Sequence, residues 1–322
     1  MKIGDLEIDG KVILGPMAGI TSLAYREFMK PFGVALSFSE MISDCGIAYE
    51  NQRTYDYLKT SEIDHPVGLQ LFGFDIKNTA KAIEIIQNSA VYDILDLNFG
   101  CPVHKVTKTG AGSSWLRDVV ALKEYASAIC AVSTKPVSAK IRLGWDSRSI
   151  NVFEVSHALE EAGVKLITVH CRTKEQGYSG QADYSAIKGL REELSIPLVV
   201  SGDIFTLEDA IKSVNETNAD GVMVARGGVG NPRLVKQIDH YFRTGERLPD
   251  ATVAEQLSYA RQYASLLIAI KGEAIAIREL KGILPHFFSG FPGYKRIRLS
   301  FTTNMNSVAD MEAIFHGVER EL

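Results

Sequence analysis

Residues 94–118 read ILDLNFGCPVHKVTKTGAGSSWLRD, and this stretch contains the unit from which the fold is built. An apolar run of strand type ends at a Gly-Cys-Pro turn, and a basic, glycine-containing loop follows it. A thiol at the carboxyl end of a buried strand, beside such a loop, is typical of a barrel enzyme that presents a reactive group to a charged ligand. Free cysteines are usually small buried apolar residues, but the flanking Gly100 and Pro102 and the nearby Asn98 favour a functional role for Cys101.

The same unit recurs along the first three quarters of the chain. Short apolar runs rich in β-branched residues alternate with segments in which apolar residues return every three or four positions. The runs predict strands at 12–15, 35–42, 67–72, 94–98, 137–143, 166–170, 198–201 and 222–225. The segments between them predict helices that include 76–89, 119–132, 152–162, 184–194 and 207–218.

Continuous apolar strands that alternate with helices imply a parallel sheet buried on both faces. Eight such units predict a closed (β/α)8 TIM barrel, an α/β fold, over residues 1–245. A doubly wound open sheet is the alternative, but it would normally show a G-x-G-x-x-G turn after the first strand, where this chain has GPMAG at 15–19.

The pattern changes after residue 250. Segments 252–270 and 274–284 have only helical periodicity, a Gly/Pro-rich connection follows at 285–293, and 306–321 is again amphipathic. We therefore predict an all-helical C-terminal domain over 250–322. Within it, YKRIRLSF (294–301) interleaves cations with aromatic residues, which suits RNA, although a solvated turn would have the same composition.

Composition and charge exclude several classes of protein. The 322 residues are 46% hydrophobic and carry a net charge of −4, so no global basic field indicates nucleic acid. The four cysteines have neither paired spacing nor a metal-binding array, which predicts a reduced, metal-free cytoplasmic protein. The start of the chain is too polar for a signal peptide and no apolar run has the length of a membrane span, so we expect no membrane contact. We also expect a monomer.

Polar residues collect at the predicted carboxyl ends of the strands, where a barrel carries its ligand. Gln70, Lys140 and His170 interrupt apolar runs, and a polar group inside a barrel is costly without a partner. A lone buried histidine is usually a core residue, but three polar residues on separate strands near one end favour a shared ligand.

The turns after the seventh and eighth strands, SGD (201–203) and ARGG (225–228), offer backbone N–H groups and a cation to a phosphate. A phosphate at one end and a planar, acceptor-rich ring at the other describe flavin mononucleotide (FMN). A lysine near the N1/C2 edge of that ring would stabilise negative charge on its reduced form.

Several motifs together resemble the tRNA-dihydrouridine synthase family, of the bacterial, FMN-dependent type, over essentially the whole chain. They are GPMAGITSLAYR (15–26), GLQLFG (68–73), LDLNFGCPVHKVTKTGAGSSWLRD (95–118), AKIRLGW (139–145), VHCRT (169–173), SGDI (201–204) and VARGGVGNP (224–232). The resemblance implies an FMN-bound barrel that reduces the C5=C6 bond of a uridine in tRNA. It implies that Cys101 is the general acid and that Asn98 faces the target base.

The resemblance also implies the cofactor contacts. The residues expected at the isoalloxazine ring are Pro16, Met17, Ala18, Gln70, Lys140 and His170. Those expected at the phosphate are Ser201, Gly202, Asp203, Ala225 and Arg226. The family commonly has Asn, Gly and Gly where Ser201, Ala225 and Cys171 stand.

Further expectations concern the partners of the reaction. NADPH or NADH would supply the electrons, although the sequence shows no nucleotide-binding motif for either. A uridine stacked within tRNA must be extruded to reach a barrel mouth. Cations from several loops could contact the RNA, and those predicted to do so are Lys105, Arg172, Lys295, Arg296 and Arg298.

Two other functions are compatible with parts of this pattern. An FMN-dependent barrel oxidoreductase could act on a free small molecule, of the dihydroorotate or enoate type, but it needs neither the helical domain nor the basic loop. A non-catalytic, tRNA-binding folding helper would not need Cys101 and Lys140. The sequence does not tell which uridine or which tRNAs would be modified.

Overall fold

The protein, described here as a computed structural model over residues 1–320, is built around a closed parallel barrel. A hairpin of β1 (Lys2–Ile3) and β2 (Leu6–Glu7) precedes the barrel. The barrel strands are β3 (Val12–Leu14), β4 (Leu36–Phe38), β6 (Val67–Phe72), β7 (Ile94–Asn98), β8 (Val137–Arg142), β9 (Leu166–His170), β10 (Leu198–Ser201) and β11 (Gly221–Val224). The sheet closes because β11 pairs with β3 and β4 pairs with β6, all in parallel. The predicted TIM barrel is confirmed.

Helices surround the barrel and form the C-terminal part of the chain. Those of the barrel region are α1 (Leu23–Met29), α2 (Asp44–Ala48), α3 (Gln52–Tyr55), α4 (Ile76–Ser89), α5 (His104–Thr107), α6 (Val119–Val132), α7 (Val152–Glu161), α8 (Leu190–Glu193), α9 (Leu207–Thr217) and α10 (Pro232–Thr244). The C-terminal helices are α11 (Val253–Lys271), α12 (Glu273–Ile283), α13 (Tyr294–Leu299) and α14 (Val308–Glu319). Residues 321 and 322, at which the predicted last helix and helical domain end, lie outside the described part. None of the helices within residues 1–320 is both long and apolar enough to cross a membrane.

Two predicted elements are divided in the structure. The run 35–42 forms β4 and then a separate two-residue strand, β5 (Ile42–Ser43), because the chain leaves the β4 ladder at Ser39 and Glu40. The predicted helix 184–194 forms a 3₁₀ turn, Tyr184–Ile187, and then α8, because Gly189 adopts φ = 88° between them. Neither break could be predicted from the spacing of apolar residues.

The YKRIRLSF segment, left open from the sequence, is helical. It forms α13 and continues as a π-helical turn at Ser300–Asn304. Ile297 and Phe301 are buried, whereas the cationic side chains of α13 are exposed. The segment is therefore not an irregular turn.

Aromatic side chains join the C-terminal helices to the barrel. The ring of Tyr263 on α11 contacts Tyr25 and Phe28 on α1 at centroid distances of 5.8 and 5.4 Å. Phe28 also contacts Phe287 at 6.0 Å, and the hydroxyl of Tyr25 donates to the carbonyl of Gly228 at 3.0 Å. The helices are thereby held beside the loops that follow β3 and β11.

A buried ion pair joins α1 to the segment before β6. Arg26 and Asp64 are 2% and 0% exposed and join by three hydrogen bonds of 2.8 to 3.1 Å. Arg26 also donates to the carbonyls of Thr21 and Lys59, both at 2.8 Å. One side chain therefore connects the loop after β3 with the segment before β6.

We predict that Asp64→Ala lowers the free energy of unfolding by about 3–5 kcal/mol, because it leaves the guanidinium of Arg26 buried without its counter-ion. Denaturant unfolding of the wild type and the variant measures the change. Asp56→Ala is the matched control, since Asp56 pairs with Lys59 in an exposed ion pair and should change stability much less. Equal effects of the two substitutions would contradict the role given to the buried pair.

Candidate active site

Two adjoining cavities open at the carboxyl ends of the barrel strands. The larger has a volume of about 330 Å³, which lies within the range of small-ligand sites. The smaller, of about 90 Å³, lies toward the ends of β10 and β11. The two cavities share six of their lining residues, which are Pro16, Met17, Lys140, His170, Tyr178 and Arg226. Of the three polar residues predicted to share a ligand, Lys140 and His170 meet in one continuous site, whereas Gln70 is fully buried and lines neither cavity.

The Cys101 loop is held rigidly at the larger cavity. Cys101 is 7% exposed and lines the cavity wall. Its backbone N–H donates to the side-chain oxygen of Asn98 at 2.8 Å, and its carbonyl accepts from the hydroxyl of Ser113 at 2.8 Å. Gly112, at φ = 62°, lies so close that a Cβ there would be 2.8 Å from the carbonyl oxygen of Cys101. The backbone of Cys101 therefore holds the thiol in place.

Burial raises the pKa of the Cys101 thiol, and this outweighs the opposing effects of a backbone hydrogen bond and of the nearby Arg142 and Lys140. The thiol is therefore protonated at neutral pH. A protonated thiol suits proton donation, whereas nucleophilic attack needs the thiolate.

A buried chain of hydrogen bonds lies behind Cys101. Asp96 accepts from the amide nitrogen of Gln70 and from the hydroxyl of Ser138, both at 2.6 Å. The amide oxygen of Gln70 in turn accepts from Asn98 at 2.8 Å. Since Asp96 accepts, the amide of Gln70 points its nitrogen toward Asp96 and its oxygen toward Asn98. The side-chain nitrogen of Asn98 donates to that oxygen, so the side-chain oxygen of Asn98 is available to the N–H of Cys101. No sequence pattern predicted this role for Asp96.

Lys140 brings a half-buried cation into the site. Its ammonium makes no hydrogen bond or ion pair with any of residues 1–320. Burial is the main reason that its pKa falls to about 8, with Arg142 lowering it further and Asp96 opposing. Burial raises the pKa of Asp96 to about 6. An ammonium without a partner in a cavity indicates a site for an electron-rich ligand group.

His170 is neutral in this environment. Burial, followed by the charges of Lys140, Arg142 and Arg172, lowers the pKa of the imidazole well below its usual range. The ring lies beside Tyr178 with 6.2 Å between centroids. A neutral imidazole among cations can donate or accept a hydrogen bond without adding charge.

The smaller cavity has the form of an anion cradle. The backbone N–H groups of Gly202 and Asp203 donate to no other group within residues 1–320. A Cβ on Gly227 would lie 1.9 Å from the carbonyl oxygen of Ile204, so the turn after β11 has no room for a side chain there. Arg226 lies at the rim, 3.6 Å from Asp203. Free N–H groups and one cation fit a phosphate.

The predicted RNA contacts occupy different surroundings. Arg172 is 2% exposed and donates to Asp203 at 2.6 Å and to the carbonyls of Ser179 and Gly180, so it braces the anion cradle instead of facing solvent. Lys105 is exposed on α5, beside the Cys101 loop. The remaining three, Lys295, Arg296 and Arg298, are exposed on α13 of the C-terminal helices.

Sequence reasoning missed Tyr178, and it placed Arg142 at the end of a strand without a role in the site. Tyr178 is 57% exposed and lies over the site with Arg142 and Arg226 at 5.6 and 4.6 Å from its ring centre. Arg142 holds this loop through the carbonyls of Thr173 and Gly177 at 2.9 and 2.8 Å. The signal was an aromatic residue between glycines, GYSG at 177–180.

The second thiol near the site takes no part in the cavity. Cys171 is fully buried, and its sulfur contacts the carbonyl of Val169 at 3.9 Å. Burial raises its pKa strongly. Within residues 1–320, no group of three or more His, Cys, Asp or Glu side chains could hold a metal ion.

Sequence comparison matches the chain to known proteins over most of its length. The family model described as "Dihydrouridine synthase (Dus)" matches residues 13–316. A "Probable tRNA-dihydrouridine synthase 1" from Synechocystis sp. is 35% identical over 302 residues, covering 92% of this chain and 83% of the relative. A "tRNA-dihydrouridine synthase B" from Pseudomonas aeruginosa is 31% identical over 313 residues, covering 97% of this chain and 93% of the relative.

Solved structures share the fold at much lower sequence identity. An old yellow enzyme homologue from Zymomonas mobilis matches with a TM-score of 0.56 and 13% identity, covering 80% of this chain and 94% of that chain. This likeness concerns the barrel fold alone.

Proposed function

Because the chain belongs to the dihydrouridine synthase family, we propose that it reduces the C5=C6 bond of specific uridines in tRNA, with bound FMN, with NADPH or NADH as the reductant, and with Cys101 as general acid. The observation that carries this proposal is the protonated, backbone-fixed thiol of Cys101 in the same cavity as the unpartnered ammonium of Lys140. We assign residues 1–245 to the catalytic barrel and 250–322 to a helical tRNA-binding domain.

The residues present fit FMN. The neutral His170 and the charged Lys140 can hydrogen-bond a flavin ring, with the Pro16-Met17-Ala18 segment beside it. Gln70 would act from behind the cavity wall, by holding Asn98. The free N–H groups of Gly202 and Asp203, with Ser201, Ala225 and Arg226, suit its phosphate. When bound, FMN supplies the hydride that C6 of the uracil needs. Arg172 acts indirectly here, since it holds Asp203 and with it the turn that receives the phosphate.

The chain's own chemistry concerns the proton at C5. Cys101 holds this proton on Sγ until the base is in place, and burial keeps it there at neutral pH. Asn98, fixed through Gln70 and Asp96, orients both the thiol loop and the base that lies beside it. The uridine must leave its stack to enter, at a cost of a few kcal/mol.

The RNA contacts fit the charge distribution despite the net charge of −4. Lys105 is exposed on α5, shortly after Cys101 in sequence, and Lys295, Arg296 and Arg298 are exposed on α13. Local cations of this kind can contact phosphates while acidic residues occupy other surfaces. A barrel enzyme for a free small molecule would need neither group, and a binding protein without activity would need no thiol at Cys101.

We expect the purified protein to be yellow and to release FMN rather than FAD. The turns after β10 and β11 form a closed cradle for a terminal phosphate, and Gly227 lies against Ile204 with no room for a side chain. Release of the chromophore by denaturation, followed by mass spectrometry, identifies it. Release of FAD, or of no flavin, would contradict the cofactor assignment.

A further inference from the structure

A cavity outside the site described above lies between the barrel mouth and the C-terminal helices. It has a volume of about 570 Å³ and is called here the Glu40 cavity. It is lined from three directions: by the loop after β3, by the segment between β4 and β6, and by α11 and α12. The residues that matter for the argument are Gly19, Glu40, Arg53, Tyr57, Ile270 and Ile275.

Glu40 is a buried carboxylate at the wall of this cavity. It is 7% exposed, and one of its oxygens accepts a hydrogen bond from the N–H of Gly19. The other oxygen has no hydrogen-bond partner among residues 1–320. Burial raises the pKa of Glu40, while the Gly19 amide and Lys271 oppose the rise. The free oxygen faces the cavity, where it can accept a hydrogen bond from a ligand.

The other walls suit a planar, partly apolar group that carries a phosphate. Tyr57, Ile270 and Ile275 are large apolar side chains that remain 40%, 37% and 43% exposed at the cavity. Arg53 is exposed and its guanidinium has no ion-pair partner within the described part of the chain. The nearby Lys271 is already held by both oxygens of Glu279, at 2.9 and 2.8 Å. An acceptor, an aromatic surface and a cation are the three elements that bind a nucleotide.

The Glu40 cavity is separated from the active site by a single turn of chain. Gly19 lines the Glu40 cavity, while its neighbours Ala18 and Ile20 line the cavity of Cys101. An RNA strand whose uridine enters one cavity therefore passes the entrance of the other. Nucleotides close to the target uridine are the ones within reach.

Resting on the proposed function, we propose that the Glu40 cavity is a second nucleotide subsite, which binds an unpaired guanine near the target uridine through Glu40. Guanine presents two adjacent donors, N1–H and the N2 amino group, on its Watson–Crick edge, and a carboxylate accepts both. Adenine and cytosine each place an acceptor beside their amino group, which would face the carboxylate unfavourably. Uracil offers one donor between two acceptors. Tyr57 lies against the base and Arg53 contacts its phosphate.

The test uses Glu40→Gln in the full-length, FMN-loaded enzyme. The amide oxygen of glutamine can still accept from Gly19, so the loop after β3 keeps its hydrogen bond, but the NH₂ group then faces the donors of guanine. We expect kcat/KM for tRNA to fall roughly 10- to 100-fold, as for a lost hydrogen bond to a charged group. Flavin content and reduction of the flavin by NADPH should be unchanged, since Glu40 does not line the cofactor cavity. Glu62→Gln, at an exposed glutamate of the same segment, is the matched control and should behave as wild type.

A second measurement identifies the base. A dicarbonyl reagent that modifies N1 and N2 of guanine is applied to tRNA alone, to its wild-type complex and to its Glu40→Gln complex. We expect one guanosine near the target uridine to be protected by the wild type and not by the variant. Replacing that guanosine with inosine, which lacks the N2 amino group, should impair the wild type and leave Glu40→Gln little further affected.

The possible outcomes distinguish failure of the guanine subsite from failure of the proposed function. Wild-type enzyme that reduces uridine, with a Glu40→Gln variant equal to it in kcat/KM and in guanosine protection, overturns the subsite alone. Protection of an adenosine or cytidine instead of a guanosine also overturns it. Wild-type enzyme that reduces no uridine in any tRNA overturns the proposed function, and the subsite with it.

Discussion

Cys101→Ala should lose uridine reduction by roughly 10² to 10⁴-fold while it retains FMN and binds tRNA, because a positioned general acid typically contributes that much. The substitution removes only the sulfur. The loop is fixed through the backbone of Cys101, by Asn98 and by Ser113, so its geometry does not depend on the thiol. The flavin should therefore still be reduced by NADPH at a near-normal rate.

Single-turnover assays, in which the reduced enzyme is mixed with tRNA, isolate this step from reduction by NADPH. Cys101→Ser should remain close to Cys101→Ala, since a hydroxyl is a much weaker acid than a thiol. Cys45→Ala is the matched control, because Cys45 lies on α2 and lines neither cavity of the active site. Rapid uridine reduction by both Cys101 variants would mean that another group supplies the proton. A loss of FMN would make Cys101 a structural residue of the cofactor site.

Lys140→Met should weaken FMN binding by about 1.5–3 kcal/mol, the usual value of a hydrogen bond to a charged group, or roughly 10- to 100-fold in Kd. Methionine keeps much of the volume of lysine but removes the ammonium that has no partner in the cavity. The rate at which NADPH reduces the flavin should also fall, because the charge that favours negative charge on the ring is lost.

The pH dependence of FMN affinity separates this charge effect from lost packing. The pKa of Lys140 lies near 8 in the protein without ligand, and FMN favours the protonated form. Affinity of the wild type should therefore fall as the pH rises from about 7 to about 9, since binding then requires protonation of the amine. Lys140→Met should lack this change, whereas Lys165→Met, at an exposed lysine before β9, should retain it. A pH profile shared by all three proteins would show that Lys140 does not contact the cofactor.

Much of the barrel could be predicted because its strands are continuous apolar runs. The bounds of β6, β7, β9 and β10 agree with the sequence prediction. The prediction was wrong where a tertiary partner decides the backbone. The run 35–42 is interrupted at Glu40 because that side chain turns to the amide of Gly19, twenty-one residues away in sequence.

The candidate site was predictable to the extent that a barrel collects its strand ends. Lys140 and His170 meet in one cavity for that reason. The roles of loop residues depend on contacts between residues that are distant in sequence. One example is the hydrogen bond from Arg142 to the carbonyl of Gly177, which holds the loop of Tyr178. Arg172 illustrates the converse, since a cation that the sequence assigned to RNA is buried against Asp203.

Mass analysis of tRNA treated with the purified enzyme is the sharpest test of uridine reduction by this protein. The substrate is tRNA transcribed in vitro, which carries no modified uridine, incubated with the enzyme, FMN and NADPH and then digested to nucleosides and to mapped fragments. We expect a uridine at a defined position to gain the mass of two hydrogen atoms, and Cys101→Ala to give little of this product in the same time. The same assay with tRNA isolated from cells that lack the gene covers any dependence on other tRNA modifications. Unchanged uridine in both substrates, with a flavin that NADPH reduces normally, would contradict the account.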